Sequence, residues 1–264
     1  MTVVALKGLT KTFAKGNVTA LQEIDLSIEP GEFVSLIGPS GCGKSTLLRV
    51  IGDLTPPSAG TVEVNGKSAP QARLDHDYGM VFQDSVLFDW RTVARNVALP
   101  LEMLGWQRTR RKARVEEMLQ LVELQGFGDH HPWQLSGGMQ QRVAIARALA
   151  CGPDVLLMDE PFSSVDSLTR VGLQELLLGL WKELGFTVVF VTHDTDEAIY
   201  LSTRVVALSR PPATVAMDLR IDLPVPRDQI TTRELPAYLG YRHRILAQLF
   251  AEEGLRPAAR PEAA

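Results

Sequence analysis

The chain has 264 residues, 45% of them hydrophobic, and 27 Lys and Arg against 31 Asp and Glu give a formal charge of -4. That length suffices for one large core or two smaller ones, and the slightly acidic balance supplies no general attraction to polyanions, so nucleic acid is not an expected partner. Two cysteines, Cys42 and Cys151, cannot build a disulfide framework and point to a reducing compartment; no apolar run approaches the ~20 residues that span a bilayer, and Met1 to Ala20 does not read as an export signal.

Between Val3 and Ile28 apolar positions such as Leu21, Ile24, Leu26 and Ile28 are broken by polar ones, predicting antiparallel strands with one wet face. Phe33 to Ile37 is continuously apolar and ends at Gly38, and a helical pattern follows from Lys44 to Ile51. A buried strand therefore feeds a helix through a glycine-rich turn. Strands are expected at Thr61 to Val64 and Gly79 to Phe82, with a turn at Asn65 and Gly66. From about Val93 to Leu124 strand signals vanish, while Val115, Met118, Leu119 and Val122 fall at helical spacing, predicting a helical insert. Asp154 to Met158 reads as a strand and Thr187 to Val191 as another. Between them, Leu168 to Leu184 reads as a helix with Leu173, Leu176, Leu177, Leu180 and Leu184 on one face. Such alternation predicts a parallel sheet. Pro224 and Pro226 mark a linker, Arg233 to Glu253 a short helical appendage, and Arg256 to Ala264 a disordered Pro/Ala-rich tail.

Three segments carry chemistry. Gly38-Pro39-Ser40-Gly41-Cys42-Gly43-Lys44-Ser45 has the spacing of a phosphate-cradling loop and stands between a strand and a helix, as such a loop must. Its glycines let successive N–H groups point at phosphate oxygens, the helix dipole favours the anion, Lys44 adds a point charge, and the Ser45 hydroxyl is suited to magnesium. Asp159 and Glu160 end the apolar run Val155 to Met158; adjacent side chains at a strand end diverge, so Asp159 can face a metal while Glu160 acts on an attacking water. In Leu135-Ser136-Gly137-Gly138-Met139-Gln140-Gln141-Arg142, Ser136 and the amides of Gly137 and Gly138 form a second anion site, with Met139, Val143, Ala146 and Ala150 at helical spacing behind it. The first loop already encloses the phosphates of one nucleotide, so the surface facing the second site must come from another copy.

These residues resemble the ATP-binding subunits of ABC transporters over about residues 3 to 223. The resemblance implies a P-loop NTPase α/β core with an antiparallel β edge and a helical subdomain inserted at about 84–150, followed by a C-terminal segment over 224–264. It makes Gly38 to Ser45, with Thr46, the Walker A loop. Val155 to Glu160 becomes the Walker B strand and its catalytic glutamate, and Leu135 to Gln140 the signature motif. It further implies that Gln83 binds magnesium and senses a membrane partner, that His193 is the switch histidine on the γ phosphate, that Asp166 is the D-loop aspartate, and that Phe13 stacks on adenine. Val165 stands where leucine is commoner and Phe13 where tyrosine is frequent; both keep the packing or stacking role. ATP and Mg2+ are the implied ligands, and a homodimer with two sandwiched nucleotides the implied active unit. Transmembrane permease subunits are implied as partners at the cytoplasmic face of the inner membrane. Val81-Phe82-Gln83-Asp84, Trp90-Arg91-Thr92-Val93 with Asn96-Val97, Arg210-Pro211 and Leu223 to Asp228 are similar to the nitrate, sulfonate and taurine importer group, which works with a periplasmic or extracellular solute-binding protein.

Other features are weaker. Arg108, Arg110, Arg111, Lys112 and Arg114 crowd one stretch that reads as a solvated helix face. Asp129-His130-His131 lacks convergent metal-ligand spacing. Cys42 stands where a helix N-terminus lowers a thiol pKa, and packing beside the nucleotide is its other reading. Leu87 to Arg91 is where the family's coupling helix docks, with Trp90 either exposed to the permease or buried in the helical subdomain. An ATPase head of a nucleic-acid or ribosome-associated protein is the rival reading; the chain shows neither sustained heptads nor a second phosphate loop.

Overall fold

The protein is described by a computed structural model covering residues 2–14 and 16–255, so the tail expected from Arg256 lies outside the described residues. In chain order the strands and helices are β1 (Val4–Phe13), β2 (Val18–Ile28), β3 (Phe33–Ile37), α1 (Lys44–Ile51), β4 (Ala59–Val64), β5 (Lys67–Ser68), α2 (Ala69–Leu74), β6 (Tyr78–Val81), α3 (Val93–Met103) and α4 (Arg108–Leu121). They continue with α5 (Gly137–Leu149), β7 (Val155–Asp159), α6 (Ser167–Leu184), β8 (Thr187–Val191), α7 (Thr195–Leu201), β9 (Arg204–Leu208), β10 (Val215–Arg220), α8 (Thr231–Glu234) and α9 (Pro236–Glu252).

The period-two pattern at the start folds into an antiparallel sheet in the order β2-β1-β4-β5. Its strict alternation is broken by three register shifts between β1 and β2, the last where Lys11 pairs with Leu21 and Thr12 with Thr19. Leu6 pairs with Leu26 and Leu9 with Ile24, which places one extra residue on β1 near Gly8, whose φ is 55°; Lys11 then pairs with Leu21, which places one on β2 near Glu23, at φ 48°. Each bulge resets the pleat, so Leu9, Leu21 and Ile24 all stay buried despite the three-residue interval between the last two.

The second sheet runs β10-β9-β3-β8-β7-β6 and is parallel except for the β9–β10 edge pair. Strands β3, β7 and β8 are buried at every position. Burial on both faces is why they read as unbroken apolar runs rather than as alternation. Val34 and Leu36 face a core shared with the antiparallel sheet and α1, while Phe33 and Ile37 face a second core built with α3 to α7 and α9. Register sets the functional end: Leu36 pairs with Val191, and Val191 with Asp159, so three chains leave the sheet at one level.

The C-terminal segment is not an appendage. Tyr238 and Ile245 of α9 are fully buried in the second core, and Arg227 in the proline-bearing linker donates to the carbonyls of Ile199, Tyr200 and Ser202 at the end of α7. The face expected on α6 also narrows: Leu173, Leu177 and Leu180 are buried, Leu176 is half-buried, and Leu184 is exposed in the last turn. Integration of α9 gives a prediction. Ile245→Ala lowers the global unfolding free energy by about 2–5 kcal/mol, read as an earlier urea midpoint for the whole chain; an unchanged midpoint with separate early loss of α9 would return it to appendage status.

Candidate nucleotide-binding site

Strand β3 ends at Ile37, and the glycine-rich loop turns the chain into α1, whose N-cap is Gly43. At Gly38 the backbone has φ 151°, and a Cβ there would lie 2.8 Å from both Cys42 Sγ and Leu208 O, so only glycine fits. Lys44 is buried, and its Nζ donates to Gly38 O at 2.8 Å and Pro39 O at 3.0 Å. Those bonds hold the ammonium over the loop; its third contact, 4.0 Å to Cys42 Sγ, is weak enough for an anion to displace. Ser40, Gly41, Gly43 and Lys44 to Thr46 line a cleft of 460 Å³ that Glu160 and His193 complete.

The neighbouring strand supplies the carboxylates. Asp159 Oδ1 accepts from Ser45 Oγ at 2.7 Å, and Arg49 Nη2 stands 3.9 Å from its other oxygen. Glu160, the next residue, takes φ 46°, a left-handed conformation that turns its side chain away from Asp159. The strain is held in place by Glu160 N donating to Val191 O at 3.0 Å, while Ser163 donates back to Glu160 O through its amide and hydroxyl. His193 Nδ1 lies 2.9 Å from Glu160 Oε2, and an N–H there donates to the carboxylate. One cleft therefore brings together a cation, a hydroxyl–carboxylate pair of hard oxygen donors and a carboxylate–imidazole pair, which is the equipment for gripping phosphates and orienting water.

Ser136 is the N-cap of α5 and accepts from Met139 N at 3.3 Å. It lines a separate cleft of 520 Å³ with Gly138 and residues of α6, and this cleft shares no lining residue with the first. Gly138 packs so closely on α6 that a Cβ would fall 2.2 Å from Thr169 Cγ2, whereas Gly137 meets only Val165, at 4.0 Å. Asp166 caps α6 by accepting from Leu168 N and Thr169 N, and hydrogen bonding from Thr169 holds its carboxyl below the ordinary value.

Phe13 and Gln83, two of the expected ligand-binding residues, line neither cleft. Phe13, at the end of β1, is 40% exposed, with Lys11 Nζ 5.2 Å from its ring centre. Gln83 is exposed just beyond the Val81–Met158 pair, one strand from Asp159. Of the two readings of Cys42, the lowered thiol pKa is not borne out: burial pushes the thiol up, the nearby Lys44 charge only partly offsets this, and the side chain is fully enclosed. A reagent that alkylates thiolates meets none at the surface there.

In the helical insert Trp90 is 74% exposed, its ring 4.8 Å from that of Phe88, while Leu87 is half-buried. Asn96, which the sequence marks only through the importer-group resemblance and not as a buried residue, is fully buried and ties this segment down. Its Oδ1 accepts from Phe88 N at 2.8 Å and its Nδ2 donates to the carbonyls of Phe88, Arg91 and Thr92. Trp90 borders a cleft of 1250 Å³ between α3 and α4. The basic stretch is not uniformly solvated either: Arg110 stacks 3.8 Å over Trp106, and Arg114 donates to Leu149 O and Ala150 O at the end of α5. His130 packs on Phe127, whereas His131 Nδ1 faces Asp89 O, so the adjacent histidines serve different neighbours.

Comparison with known proteins gives a consistent picture. The profile of the family described as ABC transporter matches residues 21–163. The nitrate import ATP-binding protein NrtC of Synechococcus elongatus is 45% identical over 234 residues, covering 88% of this chain and 35% of that protein. The aliphatic sulfonates import ATP-binding protein SsuB of Bacillus subtilis is 42% identical over 240 residues, 91% of each chain. Among solved structures, the dimeric post-hydrolysis state of the ATP-binding cassette MJ0796 bound to ADP and Pi superposes with a TM-score of 0.73 at 39% identity, covering 83% of this chain and 99% of that one. With the glycine-rich loop, the strand-end carboxylates and the capped α5 in this fold, the chain belongs to the ABC transporter family and is one of its ATP-binding, ATP-hydrolysing subunits.

Proposed function

We propose that this subunit powers the import of a small oxyanion-like solute, of the nitrate, sulfonate or taurine kind, by a separate membrane permease. The observation that carries the reading is the shared level of β3, β7 and β8, which sets Lys44, Glu160 and His193 around one cleft, with Asp159 bonded to Ser45 in its wall. ATP phosphates are received by the loop amides of Gly38 to Ser45 and by Lys44, with the Phe13 ring offered to adenine. The hydroxyl of Ser45 and the carboxylate of Asp159, already 2.7 Å apart, would hold a magnesium ion with Gln83 as a third oxygen donor, and such an ion would supply charge neutralisation at the phosphate oxygens. Glu160 polarises the attacking water, and His193 and Lys44 steady the charge on the transferring phosphoryl group.

The active unit is two copies head to tail. Ser136 with the amides of Gly137 and Gly138 caps the triphosphate in the partner copy's loop, and Asp166 lies at the same interface. Support comes from the separation of the two anion-binding clefts within one chain, which share no lining residue, and from the dimeric cassettes among similar structures. Binding closes the pair through contacts to the γ phosphate, and hydrolysis removes them.

Among the described residues no helix is long and apolar enough to cross a membrane. The permease is then met at the cytoplasmic face of the inner membrane, through the exposed Trp90 and the cleft beside it, and a solute-binding protein delivers cargo to the outer side. Its basic rim, Arg91, Arg95, Arg108, Arg111 and Lys112, outnumbers Glu102, Glu116 and Asp129, which suits a partner helix with an acidic side.

Glu160→Gln is expected to retain ATP while turnover falls by about 10²–10⁴-fold, because the amide cannot take the water's proton. With ATP it elutes as a stable dimer in size-exclusion chromatography; normal turnover in that variant would remove Glu160 from its role. Trp90→Ala should cut co-purification with the permease by on the order of tenfold, as loss of one aromatic anchor does, while ATP affinity measured by titration stays as in the parent. Full permease recovery would move the docking surface elsewhere.

A further inference from the structure

Glu197, the third residue of α7, is a buried carboxylate that the reaction outlined above does not use. Among the described residues it makes no ion pair; burial raises its carboxyl above the ordinary value, a tendency that hydrogen bonds from Thr192 and Gln174 oppose. Both of its oxygens are committed. Oε2 accepts from Thr192 Oγ1 at 2.5 Å and Oε1 from Gln174 Nε2 at 3.1 Å. An enclosed acid is costly to keep, so its partners indicate what it is for.

Those partners lie on either side of His193. The Thr192 hydroxyl donates to Glu197 and at the same time accepts from Asp194 N at 3.0 Å, bridging the peptide units before and after the histidine. Thr192 N is tied to Leu36 O at 3.2 Å, and Asp194 Oδ1 accepts from the amides of Asp196 and Glu197. The loop carrying His193 is thereby fixed to β3 at one end and to α7 at the other, with Glu197 orienting the one hydroxyl that spans it. His193 Nδ1 in turn stands 2.9 Å from Glu160 Oε2. Gln174, the other partner, accepts from Gln229 Nε2 at 3.1 Å, so the segment after β10 supports the same carboxylate.

We propose that Glu197 is a positioning residue for hydrolysis: by orienting the Thr192 hydroxyl it fixes the backbone on both sides of His193 and so the approach of the imidazole to Glu160 and the γ phosphate. The inference rests on the role given to His193 above. Removing the clamp frees the loop by a fraction of an ångström to an ångström, a misplacement that lowers turnover without touching the phosphate loop.

The test uses the full chain with steady-state ATPase kinetics and a separate ATP-binding titration. Glu197→Ala is expected to lower kcat by roughly 10- to 100-fold while KM for ATP moves less than about threefold. Glu197→Gln, which keeps an oxygen for the Thr192 hydroxyl, restores most of that loss. Thr192→Val, close in shape and lacking the hydroxyl, reproduces the kcat defect and gives the answer by itself if Glu197→Ala does not fold. In a His193→Ala background neither change lowers kcat further, because the clamp acts through the histidine. Additive losses there, or wild-type kcat in Thr192→Val or in a folded Glu197→Ala, would overturn the inference while leaving the role of His193 intact. Wild-type kcat in His193→Ala itself would instead remove the reading beneath it.

Discussion

The arrangement depends on one register. Leu36, Val191 and Asp159 lie level across three neighbouring parallel strands, so the glycine-rich loop, the Thr192-His193 turn and Glu160 all begin just past the same edge. Burial on both faces enforces the match: a one-residue slip of any of these strands would exchange its two apolar faces and disrupt two packed cores at once. The site inherits its precision from that rigidity. Asp159, Glu160 and His193 each leave the sheet within two residues of a paired position, while Lys44 and Ser45 are carried from the end of β3 by the glycine-rich loop onto the first turn of α1.

The parts legible in the sequence are those whose local chemistry and fold requirement coincide. The loop before α1 combines fixed glycine spacing with a lysine, and β3, β7 and β8 are apolar at every position, so strand type and burial are visible together. Strand β9 is as long as β3 and buried from Val205 to Leu208, yet it lacks a flanking functional motif and is assigned no element from sequence, and β10 is mostly half-buried or exposed with only Leu219 buried, so little in the chain itself separates it from loop. Helix α7 has acidic residues in its first turn and looks solvated, yet Glu197 is enclosed by α6 and the loop before it. Asn96 is the same case. A polar residue inside a helix reads as surface until tertiary structure supplies its partners.

The C-terminal segment shows how far tertiary context can outrun composition. Prolines at 224 and 226 suggest detachment, yet Arg227 satisfies three carbonyls at the end of α7, and the Tyr238 hydroxyl donates to Asp196 O near its start. The helix that follows His193 is thus gripped at both ends by a region remote in sequence. Orphan carbonyls at a helix terminus need donors, and here the last forty residues of the described chain provide one of them.

The left-handed backbone of Glu160 sets two demands against each other at one position. A glycine would sit there with on the order of 1 kcal/mol less strain, but would bring no carboxylate. Thermodynamic robustness and enzymatic competence therefore favour different amino acids at residue 160, and a screen that rewarded heat resistance alone would drift toward an inert protein.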